Sequence, residues 1–149
     1  MVFTETHAAS AAAADELGKP QGYSAAYHCV RPGGQGRGGV SLFVRAGLAD
    51  HVQLIGLRQA PGFESVWVRV SRRVLCGRLG GGKDLLIGAC YASPHNSAAY
   101  TQGEEGGEGF DHELLLAIQQ FRQPSDWLML AGDFNARIHG LDDTVVADE

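Results

Sequence analysis

No apolar run in this chain approaches the ~20 residues that a membrane-crossing helix needs, so no membrane partner is expected. The first residues, Met1-Val2-Phe3-Thr4-Glu5-Thr6-His7, lack the basic start and apolar core of a secretory signal. They open instead on what reads as the end of a strand. Cysteine is scarce: Cys29, Cys76 and Cys90 lie far apart and are odd in number. That pattern excludes a disulfide framework, and neither zinc-ligand spacing nor a redox pair is present. All three fall in expected strands, where cysteine acts as a small buried hydrophobe, and a reducing compartment fits them. Internal repeats are absent as well.

What is there is the composition of a globular domain. The chain has 149 residues, of which 44% are hydrophobic, enough for one domain with a core. Glycine is abundant, 21 residues against a usual ~7%, so glycine motifs must be judged by what flanks them. The net charge of −5 is unevenly spread. Residues 31–83 hold nine basic and two acidic residues, whereas residues 84–149 hold two basic and twelve acidic. A basic stretch of this kind can meet a polyanion. Equally, its arginines can be solvated side chains on strands. The acidic C-terminal part argues against a general nucleic-acid binder.

Hydrophobic patterning predicts strands at 2–4, 23–30, 40–44, 52–57, 64–70, 74–79, 85–92 and 127–131. In 64–70, Val66, Val68 and Val70 alternate with Ser65, Trp67 and Arg69. Turns are expected at 59–62 and 80–82. Helices are expected at 8–17, closed by Gly18 with Pro20 behind it, and at 110–122, with Leu114, Leu115, Ile118 and Phe121 on its apolar side. Runs of strands bounded by helices indicate a mixed sheet with helices outside, not a regular β-α-β alternation.

Two motifs mislead. Gly34-Gln35-Gly36-Arg37-Gly38-Gly39 fits a dinucleotide fingerprint, which requires a helix next so that its N-terminus can hold a pyrophosphate. A β-branched run follows, so a hairpin loop is expected. Residues 77–83 fit the start of a P-loop, but Asp84 stands where a Ser or Thr must hold magnesium, and another strand follows.

The most informative segment is Gly132-Asp133-Phe134-Asn135-Ala136-Arg137 at the end of the apolar run 127–131, read as a buried strand. Side chains two apart on extended backbone share a face, so Asp133 and Asn135 can address one ligand while Phe134 turns into packing. A carboxylate beside a carboxamide suits a hard cation and a phosphate oxygen. The plain alternative is a turn, because Asp and Asn bond readily to nearby backbone. Three further segments accompany this one: a strand ending at Glu5, the Arg37-Gly38-Gly39-Val40 entry to a strand, and a strand ending in Tyr91, then Ser93-Pro94.

In order and separation, these four segments over residues 2–140 resemble the endonuclease/exonuclease/phosphatase family. The wording Gly-Asp-Phe-Asn-Ala-Arg with Arg-Gly-Gly-Val is most similar to the endonuclease domain of non-LTR retrotransposons. The resemblance implies an α/β fold (α+β in some schemes), a four-layer sandwich of two β-sheets flanked by helices, and hydrolysis of phosphoric esters with Mg2+, Mn2+ being an alternative. It implies that Glu5 is a metal ligand, Asp133 orients or activates the attacking water, Asn135 binds the scissile phosphate, and Tyr91 approaches the phosphate through its hydroxyl. A solvated strand end for Glu5 and an amphipathic core role for Tyr91 are the alternatives. No covalent intermediate and no organic cofactor are implied. DNA is the implied partner, and a retroelement origin would place the protein in the nucleus.

The family pattern also has an Asn before the Glu segment and a Ser-Asp-His after the Asp-x-Asn segment. Neither stands in residues 1–149. Asp50-His51 and Asp111-His112 precede the motif, and His139 reads as a loop residue. The chain is therefore expected to be a partial domain over 1–149, weak or inactive by itself. A non-catalytic nucleic-acid- or protein-binding remnant using the basic stretch is one alternative. A phosphatase of the same family acting on a small phosphorylated substrate is the other.

Overall fold

The computed structural model describes residues 1–8, 10–16, 18–31, 38–75, 82–94 and 110–135. Two sheets stack face to face. The first has three antiparallel strands in the order β1 (Val2–Thr4), β3 (Val40–Arg45), β2 (Tyr23–Cys29). The second has four strands in the order β4 (Val52–Ala60), β5 (Phe63–Val70), β6 (Leu85–Ala92), β7 (Trp127–Asp133). Strands β4, β5 and β6 run antiparallel, and β7 joins β6 in parallel after helix α2 (Phe110–Phe121). This is the mixed sheet expected from the order of elements.

Two cores hold the layers together. Between the sheets, Cys29, Val40, Leu42 and Val44 meet Val66, Val68, Ala89 and Tyr91. On the other side of the second sheet, Phe63, Trp67, Leu86 and Cys90 pack against Ala117 and Phe121 of α2. The alternation read in β5 thus divides its side chains between two cores. Helix α1 (Ala11–Glu16) lies outside the first sheet, burying Ala14. His28 of β2 ties it there: Nδ1 is 2.7 Å from Ser41 Oγ and Nε2 is 3.1 Å from Asp15 Oδ1. The result is an α/β sandwich of two sheets with helices on the outside.

Five local expectations need correction. No strand starts at Val74: Arg72–Val74 form a 3₁₀ turn that the Ser71 hydroxyl closes by accepting from Arg73 N. A local hydroxyl bond here outcompetes the β preference of the valine; 76–79 lie outside the described residues. Strand β4 runs on to Ala60, so the turn narrows to Pro61-Gly62. Helix α1 is shorter than 8–17: it starts only at Ala11, after Ser10, whose hydroxyl accepts from Ala13 N at 3.1 Å. Leu115 is 57% exposed and leaves the apolar side of α2. Strand β7 is an edge and not a buried strand, with Trp127 and Met129 about half exposed.

Candidate active site

One end of the second sheet's inner face is polar. Gln59, Glu64, Tyr91 and Asp133 are successive register partners across β4, β5, β6 and β7. Register partners share a face, so these four form a row. It continues the face that carries Val66, Val68 and Ala89 deeper in the sandwich. The apolar core thus gives way to polar groups at one rim.

Asp133 ends β7, and Phe134 turns to the opposite side, where its ring meets Phe110 of α2 at 5.9 Å. That division matches the sequence expectation. Asn135 behaves differently from a third strand residue. It has a positive φ of 43°, its backbone N–H donates to Asp133 Oδ1 at 2.9 Å, and its Nδ2 donates to the Ala92 carbonyl at 2.7 Å. The turn reading is therefore realised, and Asn135 leaves the extended backbone that the expected shared face with Asp133 requires. The aspartate closes a turn through one oxygen, and that turn delivers the Asn135 carboxamide to the end of β6. The preceding Gly132 has a φ of 139°, and a Cβ there would lie 1.8 Å from the Cys90 carbonyl oxygen. Only glycine fits this approach of β7 to β6.

Glu5 arrives from the other sheet. It follows β1 with a φ of 52° and is exposed, and its Oε1 accepts from the Tyr91 hydroxyl at 2.7 Å. The two residues are 86 apart in sequence. The Tyr91 ring is buried and its tip reaches the rim. Burial raises its phenol pKa, and the hydrogen bond to Glu5 and the Glu5 charge raise it further, against the opposing effect of Arg31. The phenol is thus held as a hydrogen-bond donor. The glycine pair explains how Glu5 is placed. Thr6 N donates to Gly39 O and His7 N to Gly38 O, at 3.5 and 3.1 Å. Gly39 has a φ of 91°, and a Cβ there would lie 2.6 Å from Thr6 Oγ1.

Sequence reading missed the neighbours of this row. Arg31, just after β2, donates through Nε and Nη2 to Glu64 at 2.5 and 3.1 Å, and through Nη2 to Ser93 Oγ at 2.6 Å. Its guanidinium lies 6.0 Å from the Tyr91 ring centroid. The available signal was Glu64 itself, the one acidic residue of a largely apolar strand. The basic stretch is also less free than its composition suggests. Besides Arg31, Arg58 pairs with Glu113 and Arg69 with Asp126, at 2.7 and 3.0 Å.

The remaining candidates stand elsewhere. Asp50-His51 end the 3₁₀ turn Ala46–His51, and Asp111-His112 lie in the first turn of α2. His139 and Cys76 are outside the described residues, as are 34–37 and 77–81 of the two misleading glycine motifs; the strand β6 does follow the second. The Ser41-His28-Asp15 chain has the residue types of a hydrolytic triad. However, Ser41 is 1% exposed and bonds Nδ1, where a triad serine bonds Nε2. It anchors α1.

Among the described residues no group of three or more His, Cys, Asp or Glu could hold a metal. Glu5 and Asp133 offer carboxylate oxygens, and magnesium takes one or two carboxylates while keeping several waters. Carboxylate oxygen is the type of donor that such an ion takes. Among the described residues no helix is long and apolar enough to cross a membrane.

In comparison with known proteins, residues 1–144 match a family model, whereas no curated protein and no solved structure matches. Because that match takes in both sheets and every residue of the polar row, the chain belongs to the Endonuclease/Exonuclease/phosphatase family, which typically hydrolyses phosphoric esters.

Proposed function

We propose that this chain carries a magnesium-dependent phosphodiesterase centre of the endonuclease type, acting on DNA. The observation that carries the reading is the meeting of Glu5 with Tyr91, which stands in register with Asp133. A carboxylate from one sheet and a phenol and carboxylate from the other share one rim. Glu5, exposed at the rim, would hold the cation. When bound, magnesium (or manganese) supplies charge neutralisation at the phosphate and the departing oxygen.

The chain's own residues do the rest. Asp133 orients the attacking water and accepts its proton. Asn135, fixed through Ala92 and Asp133, presents its carboxamide to the scissile phosphate. Tyr91, kept protonated, donates toward a phosphate oxygen or holds Glu5 in place. The Gly-Asp-Phe-Asn-Ala-Arg and Arg-Gly-Gly-Val segments support a non-LTR-retrotransposon-like subtype and hence DNA as substrate. The three arginines committed to ion pairs weaken the alternative of a purely basic binding remnant.

The test is nicking of supercoiled plasmid at enzyme excess. The expected result is conversion that needs Mg2+, stops with EDTA and falls at least tenfold in Asp133→Ala. No magnesium-dependent cleavage, or equal cleavage by Asp133→Ala, overturns the reading.

A further inference from the structure

The charged group that the proposed chemistry leaves unused is Glu64. Its side chain is fully buried, and Arg31, which pairs with it, is 23% exposed. A buried ion pair is seldom the most stable filling for a core, since apolar residues of similar volume often do as well or better. Its place suggests another reason. Glu64 is the register partner of Tyr91. Arg31 leaves the first sheet and crosses to the second, where it donates to Ser93 Oγ and its guanidinium lies 6.0 Å from the Tyr91 ring centroid. The residue between them, Ala92, accepts the Asn135 side chain, and Ser93 N donates to Gly62 O at 2.8 Å. The segment 91–93 is thus fixed at each residue. Room for the guanidinium comes from Gly38, where a Cβ would lie 2.8 Å from Arg31 Nη2.

We propose that Arg31, Glu64 and Ser93 form a positioning unit that holds Tyr91 against Glu5 across the junction of the two sheets. The proposal rests on the reading of this rim as a phosphodiesterase site for its purpose, but its geometry is testable separately. The Arg31 charge is largely matched by Glu64, so the fork acts as a brace. Lysine cannot replace it, because a single ammonium lacks the planar fork that engages a carboxylate through two nitrogens.

The experiment is NMR of the full chain labelled with [13Cζ]tyrosine. The Tyr91 signal is assigned by its loss in Tyr91→Phe, and Glu5→Ala gives its position without the acceptor. Arg31→Lys and Ser93→Ala are both expected to move the signal at least halfway to that position. Ser93→Ala, which leaves the buried ion pair intact, decides the matter if Arg31→Lys does not fold. A Tyr91 signal unmoved in folded Ser93→Ala overturns the proposal. With plasmid in excess over the enzyme, the same variants are expected to lower kcat at least fivefold with KM within twofold. Loss of kcat with an unmoved signal also overturns it. Absence of cleavage by the unsubstituted chain, with the signal shifts present, sinks the phosphodiesterase reading and leaves the positioning unit standing.

Discussion

The two faces of the four-stranded sheet are built alike and finished differently. Toward α2 the face is apolar: Phe63, Trp67, Leu86 and Cys90 meet Ala117 and Phe121. A buried ion pair lies at the far end of β5, where Arg69 donates to Asp126 and to the Phe121 carbonyl, while Asp126 accepts from Gln123 N. There the charges satisfy the free carbonyls and amides at the end of a helix. Toward the other sheet the face starts apolar and ends in Glu64, Tyr91 and Asp133. Its ion pair, Arg31 with Glu64, lies among candidate site residues. Two Arg–carboxylate pairs on one strand thus serve different ends, one closing a helix and one bracing a rim.

The sharpest way to break the comparison is to strike the helix face. Trp67 is fully buried, stacks on Phe121 at 5.6 Å and donates from Nε1 to Ser65 Oγ. Trp67→Ala is expected to cost about 3–5 kcal/mol, read as a lowered urea midpoint with an unchanged slope. A loss under ~1 kcal/mol would mean that α2 contributes little to the fold.

The thiols give a smaller effect that samples each core. Burial pushes Cys29, in the inter-sheet core, up to about 11, and Cys90, in the helix-side core, to about 12. In the unfolded chain such thiols ionise near 9, so above that pH the unfolded state binds fewer protons than the native state. Stability is therefore full below pH ~9 and falls as pH rises through the native values, by up to ~1.4 kcal/mol per pH unit per thiol. Denaturation at pH 8 and pH 10 checks the sign. Cys29→Ala and Cys90→Ala are each expected to flatten the slope, and Cys90→Ala is expected to extend the flattening to higher pH.

What the sequence made legible depended on the range of the interaction. β6 was read with its observed bounds, since an unbroken apolar run stands between a glycine turn and Ser93-Pro94. Asp133 and Phe134 were assigned to opposite sides because the strand period alone decides that. The Val74 expectation failed because one hydroxyl bond from Ser71 redirected the chain. β7 looked buried because composition cannot say which strand lies at an edge. Arg31 with Glu64 was invisible for another reason: the partners are 33 residues apart and meet only when the sheets stack. Glu5 and Tyr91 were picked out individually by resemblance, whereas their hydrogen bond follows from the fold alone.

The smallest expected effect on stability belongs to the rim, and it separates the two faces best. Tyr91→Phe keeps the ring in the inter-sheet core and removes only the hydroxyl that Glu5 accepts from. Because Glu5 is exposed, water replaces the lost donor and no buried group is left unsatisfied. The expected cost is at most about 1 kcal/mol, the usual net worth of one hydrogen bond. Chemistry is expected to be less forgiving, with plasmid nicking falling at least tenfold because Glu5 is no longer held against the second sheet. A fold nearly as stable as the parent with much slower cleavage would mark the rim as functional. Equal cleavage would make the Tyr91–Glu5 bond a structural link between the sheets, on a par with the Arg69–Asp126 pair at the other end of β5.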